Sequence, residues 1–249
     1  MKVYISPRCL LIILILPFAS YGQFTDTLSN KPAKKKFSRT ELFVPAILIS
    51  SSLISFTDNE VLDNEEFLEV RSHNISHFNS SVDNYLQFST VSILFGAELL
   101  GEKAKNDVLN QALLLIKSEI IVNVIIHPLK RITNVERPDG SGHSAFPSGH
   151  TAQAFLLAEF LNKELGDKSV YYSIAGYSIA ASVGLLRMAN NKHWASDVLA
   201  GAAIGIFSVD AAYSIHQYRW NKKKKSNTHL TFIPSYSNDA LLLMMNLSF

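Results

Sequence analysis

Beyond an N-terminal leader, the apolar positions of this chain collect into six runs: 42–57, 85–100, 108–127, 150–165, 169–186 and 195–216. Polar segments separate them. Runs of this length exceed ordinary strands and suit helices. They predict an all-α fold, an antiparallel helical bundle of about six core helices. Gly176, Ala180 and Gly184 recur every four residues in the fifth run, and Gly201 and Gly205 repeat the device in the sixth. Such small-residue faces let helices pack closely. Pro128 is expected to stop the third helix and deliver Lys130 at its end. Lys117, Glu119 and Asn123 interrupt that run and are expected to face other helices in a satisfied polar network. Gln153, Glu159 and Lys163 mark a polar stripe on the fourth.

The two ends differ from the middle. Residues 1–22 read as a secretory signal: Lys2 and Arg8, an apolar run from Cys9 to Ala19, then Ser20-Tyr21-Gly22. An uncleaved anchor helix is the alternative. A polar linker follows over 23–40, with Lys31 and Lys34 to Lys36 around Pro32. The bundle is assigned to 41–220. Tyr218-Arg219-Trp220 with Lys222 to Lys225 resembles an interfacial belt and a basic stop. The tail, 221–249, has the pattern of a terminal β-hairpin, with strands at 229–233 and 241–249.

Composition narrows the class. With 249 residues, one domain is the default. A hydrophobic fraction of 47% and a mean hydropathy of +0.12 lie between a soluble helical protein and a full membrane bundle. A formal net charge of +2 argues against a general polyanion-binding surface, so no nucleic-acid partner is expected. The single cysteine, Cys9, leaves neither a disulfide nor thiol chemistry after leader removal. His73 and His77 stand four apart but lack a convincing further ligand, so they read as surface and no metal site is assigned.

Candidate chemistry lies between the third and sixth runs, in three polar clusters. They are Lys130 to Pro138, Pro147-Ser148-Gly149-His150, and Arg187 to Asp197. Cations to balance a phosphate, an imidazole to attack phosphorus and another to protonate the leaving oxygen make a phosphate-transfer set. His193 and Asp197 are four apart, so on one helix face the carboxylate would hold one ring nitrogen and fix the tautomer. Ser148-Gly149-His150-Thr151 reads as a helix start whose free N–H groups favour an anion. Gly149 lets backbone approach an oxygen closely. The 136–145 stretch is a loop over the site, with His143 on its surface.

These clusters resemble the type 2 phosphatidic acid phosphatase and vanadium haloperoxidase superfamily. Its pattern is K-x6-R-P, then P-S-G-H, then S-R-x5-H-x3-D. Lys130, Arg137 and Pro138 fit the first part, Pro147 to His150 the second, and Arg187, His193 and Asp197 the third. Leu186 replaces the serine before the arginine. The match spans roughly residues 107 to 216. The resemblance implies that His193 is the nucleophile, oriented by Asp197, and that His150 is the general acid. Lys130, Arg137, Ser148, Gly149 and Arg187 would hold the phosphoryl oxygens. It implies no metal and no cofactor.

The expected function is therefore a metal-independent phosphatase acting on a lipid phosphate monoester or diphosphate through a phosphohistidine. The expected location is the cell envelope, in an inner membrane with the site facing the periplasm; a soluble periplasmic or outer-membrane-associated protein is the alternative. A soluble periplasmic acid phosphatase with the same site is the alternative. A vanadate-dependent haloperoxidase ranks far behind. An inert bundle is opposed by seven matching site residues. Lysines in 101–106, 162–168 and 217–225 place those segments inside. The lysines of 31–40 would fall inside too, which a cleaved signal forbids if 42–57 crosses. That short run is therefore expected to pack on the bundle without crossing.

Overall fold

The computed structural model describes residues 39–55, 69 and 71–216, together with the backbone of 229–237 and 240–248. The leader, most of the linker and the basic belt at 218–225 lie outside the described residues. Among the described residues, seven helices precede two strands: α1 (Arg39–Ile54), α2 (Val82–Leu86), α3 (Ser89–Leu99), α4 (Val108–Thr133), α5 (Gly149–Leu165), α6 (Val170–Ala189) and α7 (Ala195–Ile215). The chain divides after His216 into a helical unit and a hairpin unit. In the latter, β1 (His229–Ser237) pairs antiparallel with β2 (Ala240–Ser248), both strands running closer to the turn than the sequence pattern implied. The fold is all-α, with this short hairpin appended.

Helix α7 is the hub, packing on α1, α4, α5 and α6, while α5 also packs on α6. Glycines decide how closely. A Cβ at Gly201 would meet the Ser148 carbonyl oxygen at 2.5 Å, and one at Gly205 the Ala152 oxygen at 2.3 Å. The backbones of α7 and α5 therefore approach to a distance only glycine permits. On α6, Gly176 lies against Ala158 and Leu161 of α5. The buried core is built from Leu114, Val122, Leu156, Phe160, Leu161, Leu165 and Val209.

Two expectations about the helices need correction. Pro128 does not stop α4, which continues to Thr133 and ends where Asn134 turns left-handed at φ 47°. One missing N–H breaks only one intrahelical bond, and flanking packing holds the rest. Lys130 thus projects from within the last turn rather than beyond the helix end. The 85–100 run is not one helix. It breaks at Gln87 and Phe88, where the Gln87 side chain donates to the Asn84 carbonyl at 2.9 Å. A side chain bonding local backbone in this way competes with helical continuation. The polar stripe of Gln153, Glu159 and Lys163 faces inward. Gln153 Nε2 donates to Glu119 at 2.5 Å, and Lys163 bridges Asp210 at 2.6 Å and Glu41 at 3.1 Å.

Polar residues in α4 behave unevenly. Glu119 joins the Gln153 bond and Lys117 reaches His216, whereas Asn123 is exposed and donates to the carbonyl of Glu119 on its own helix. Helix α1 packs on α7 through the buried bond from Ser52 Oγ to the Ser196 carbonyl, 2.8 Å. At ~1.5 Å per residue its 16 residues reach about 24 Å, short of a bilayer core of roughly 30 Å.

The candidate active site

The loops at one end of the bundle are tied to each other. Lys192 and Asp139 pair at 2.5 Å, and Trp194 Nε1 donates to the Glu136 carbonyl at 2.9 Å. Burial would raise the Asp139 carboxyl, but hydrogen bonds from Lys192 and Ser141 hold it down at about 2. The segment carrying Arg137 is thereby fastened to the one carrying His193. At the opposite end, the Lys105 N–H donates to the Glu164 carbonyl at 3.1 Å, joining the 101–106 and 162–168 segments. That pairing puts two of the lysine-bearing segments together, far from the site.

Each candidate residue has a local reason for its place. Ser148 caps α5: its backbone is extended, and its Oγ lies 3.4 Å from the Thr151 N–H and 2.9 Å from the Thr151 hydroxyl. The Ser148 N–H donates to the Asp197 carbonyl at 3.0 Å, which ties the start of α5 to the start of α7. The peptide bond between Phe146 and Pro147 is cis. Space around Gly149 is open, with no atom within 4 Å of where a Cβ would stand.

His193 and Asp197 meet, though not as two residues on a helix. Helix α7 begins at Ala195 with Trp194 as its cap, so His193 lies outside it. Asp197 Oδ2 accepts from the Trp194 N–H at 2.8 Å and lies 3.3 Å from His193 Nδ1. The spacing of four works because a carboxylate in the first helical turn folds back over the cap. Both side chains are almost wholly buried. Burial pushes the His193 imidazole below its ordinary value, Asp197 opposes that shift, and the Arg187 and Lys130 charges reinforce it. The ring is neutral at neutral pH, donates from Nδ1 and presents a lone pair at Nε2.

Three cations surround this pair. Lys130 lies within coulombic reach of Arg137, Asp197 and Arg187, and donates to the Ser144 carbonyl at 2.6 Å. Arg137 reaches Ser144 Oγ at 3.5 Å. Arg187 is buried. The Nε atoms of Arg137 and Arg187 are both buried without a protein acceptor, two N–H groups that an anion would satisfy. His150 feels the charges of Arg187, Asp83, His193 and Arg137. All eight residues named from the sequence therefore converge. His143 is exposed on the loop, and His73 and His77 are exposed elsewhere.

The structure adds residues that no motif marks. Asp83 on α2 pairs with Arg187 at 2.6 Å, and Asn84 accepts from His150 Nε2 at 2.9 Å. Asn190 holds α2 in place, accepting from the Ser80 N–H at 2.8 Å and donating to the Ser80 carbonyl at 2.7 Å. Arg71 Nε donates to the Ala189 carbonyl at 3.1 Å, at the end of the helix bearing Arg187. In the sequence Arg71, Asp83 and Asn84 belong only to an acidic, polar stretch between the first two apolar runs.

Residues 111–221 match the model of the PAP2 superfamily. The chain belongs to the PAP2 superfamily. Lipid A 1-phosphatase of Porphyromonas gingivalis is 33% identical over 189 residues, covering 74% of this chain and 40% of that protein. Probable lipid phosphate phosphatase 4 of Arabidopsis thaliana is 30% identical over 102 residues, 36% of this chain and 31% of that one. The chain thus spans less than half the length of these curated relatives. Among solved structures, Aquifex aeolicus LpxE aligns with a TM-score of 0.44 at 20% identity, over 59% of this chain and 93% of that one. The first transmembrane PAP2 type phosphatidylglycerolphosphate phosphatase from Bacillus subtilis gives 0.47 at 18% identity, over 72% and 98%.

Proposed function

We propose that this PAP2 protein is a metal-independent phosphatase that hydrolyses a lipid phosphate monoester or diphosphate through a phosphohistidine. The observation that carries the reading is the buried His193–Asp197 pair set against the capped start of α5, with unpartnered Arg137 and Arg187 N–H groups beside it. Lys130, Arg137 and Arg187, with Ser148 and the Gly149 N–H, hold the phosphoryl oxygens. His193 Nε2 gives its lone pair to phosphorus. The bond from phosphorus to the leaving oxygen breaks, and that oxygen takes its electron pair and a proton from His150. Water then attacks the phosphohistidine, His150 takes the water proton, and the P–N bond breaks to release phosphate. The three cations supply the charge stabilisation that a divalent ion gives in other phosphatases.

A lipid substrate is favoured by the outward face of α4. Ile116, Ile120 and Val124 are exposed there, directly opposite the buried Ser118, Val122 and Ile126. A row of exposed Ile and Val on so long a helix suits lipid better than water. Helices α4 and α7 are both long and apolar enough to cross a bilayer. Of the three candidate classes, phosphatidate, polyprenyl diphosphate and lipid A phosphate, the 33% identity to a lipid A 1-phosphatase favours the phosphorylated glycolipid. The reading places the protein in the cell envelope, in the inner membrane with its site facing the periplasm. Phosphate release by the purified protein from these three lipids, assayed in EDTA, tests the activity. Loss of release in EDTA and its return with magnesium would overturn the metal-independent mechanism. Retention in washed membranes supports the lipid enzyme, whereas release by osmotic shock supports the soluble acid phosphatase.

A further inference from the structure

The two site histidines have different partners. His193 faces a carboxylate, whereas His150 Nε2 faces the amide oxygen of Asn84 at 2.9 Å. An amide oxygen only accepts, so Nε2 of His150 carries hydrogen. The Asn84 side chain is exposed, but the backbone that carries it is held on both sides. Asp83 beside it is clamped to Arg187, and Ser80 is bonded twice by Asn190. Around the His150 ring stand Asp83 on α2, Arg187 on α6, Arg137 from the loop before α5 and His193 before α7.

We infer that Asn84 is a positioning residue for the general acid: it holds His150 by the Nε2 hydrogen, so the proton given to the leaving oxygen is the one on Nδ1. The inference rests on the phosphatase reading above. In the first step the imidazolium transfers its Nδ1 proton to the leaving oxygen as the P–O bond breaks, and keeps Nε2–H on Asn84. In the second, the neutral ring takes the water proton at Nδ1 as the water oxygen bonds to phosphorus and the P–N bond breaks. An amide suits this role because it orients the ring without adding charge. A carboxylate would stabilise the imidazolium and weaken it as an acid. The site thus separates its roles by partner, a carboxylate for the nucleophile and an amide for the acid.

Two measurements test this on the full-length purified protein. The first is kcat/KM against pH for wild type, Asn84→Ala and Asn84→Asp, with dioctanoyl phosphatidate and 4-nitrophenyl phosphate. Asn84→Ala should lose roughly 10- to 100-fold on the phosphatidate but only a few-fold on the nitrophenyl ester, which needs little proton assistance. Asn84→Asp should recover much of that loss and move the alkaline limb up by about one pH unit, as a carboxylate beside an imidazolium does. Equal losses on both substrates, or an aspartate that neither rescues nor moves the limb, would overturn the inference. The second needs no turnover. The 15N spectrum of histidine-labelled protein, with His150 assigned by its absence in His150→Ala, should show one Nε2–H tautomer in wild type and a mixture in Asn84→Ala. Identical tautomer populations would overturn the inference even if the phosphatase reading stands. A wild type that releases no phosphate, in contrast, refutes that reading and leaves the tautomer result to decide the contact.

Discussion

Asp83 and Arg187 stand 104 positions apart in the chain and meet as a buried ion pair, with 2.6 Å between Oδ2 and Nη1. The pair fixes the short helix α2 against the last turn of α6. It also balances a guanidinium that would otherwise sit buried without countercharge. Asp83→Ala should therefore destabilise the protein by about 3–5 kcal/mol, the usual cost of stranding one partner of a buried pair. Thermal unfolding in detergent measures it. Vanadate should restore more stability to this variant than to wild type, because an oxyanion near Arg187 supplies the missing negative charge. An unchanged melting temperature would mean that Arg187 finds another partner.

Close approach of α5 and α7 makes a second prediction. At Gly205 a Cβ would meet two backbone atoms, Ala152 O at 2.3 Å and Leu156 N at 2.9 Å, and neither can swing aside. Gly205→Ala must push the helices apart, at a cost of about 1–3 kcal/mol or more. Gly149→Ala is the contrast, since its Cβ enters open space. That variant should melt like wild type but bind vanadate poorly if a phosphoryl oxygen packs against Gly149. The opposite ranking of melting temperatures would refute the packing argument.

What the sequence disclosed and what it withheld follow from the range of the forces involved. That Lys130, Arg137, Ser148, His150, Arg187, His193 and Asp197 converge was legible because their types and local spacing form a recognisable pattern. The bundle was legible because apolar runs record burial. Asp83 and Asn84 were not, since their partners lie 104 and 66 residues away and nothing local marks an aspartate for a distant arginine. The passage of α4 through Pro128 was also hidden, because tertiary packing outweighed one lost hydrogen bond. Reading His193 and Asp197 as helix neighbours gave the right contact from the wrong local structure. The carboxylate reaches back over the cap from the first turn of α7.

Arg137→Lys should be far from conservative. Arg137 Nε is buried without a protein acceptor while Nη2 already reaches Ser144, so the planar fork can present parallel donors to an anion. An ammonium is a point charge and cannot. Turnover should fall roughly a hundredfold or more, the scale of losing a transition-state donor. Wild-type turnover would mean that Arg137 does not face the phosphate.

Acid should silence the enzyme only at low pH. On the proposed mechanism the nucleophile is neutral His193, and burial, helped by Arg187 and Lys130 against Asp197, lowers its pKa from the ordinary 6.5. Protonation removes the Nε2 lone pair, so activity is lost as pH falls through the folded value. The acid limb of kcat on 4-nitrophenyl phosphate should then lie below 6.5. Folded-state stability runs the same way, full above 6.5 and declining as the buried ring is forced to charge. Asp197→Asn removes the opposing interaction and should move the limb lower still while slowing turnover. An acid limb above 6.5 would contradict the neutral nucleophile.

The two histidines should fail differently. If His193 attacks phosphorus, His193→Ala removes the covalent intermediate for every substrate, whatever its leaving group. If His150 only protonates the departing oxygen, its loss matters in proportion to how badly that oxygen leaves. General-acid assistance is worth typically about 10²–10⁴-fold for a lipid alkoxide, while a nitrophenolate departs almost unaided. His150→Ala should therefore nearly abolish hydrolysis of dioctanoyl phosphatidate and retain far more activity on 4-nitrophenyl phosphate. His193→Ala should be inactive on both. Wild-type turnover of the nitrophenyl ester, measured first, establishes that small aryl phosphates reach the site. Acid quenching with 32P-labelled substrate adds a direct readout, since phosphohistidine should accumulate in His150→Ala if dephosphorylation also needs that ring as a base. Label trapped in His193→Ala, or equal losses on both esters in His150→Ala, would require the two roles to be reassigned.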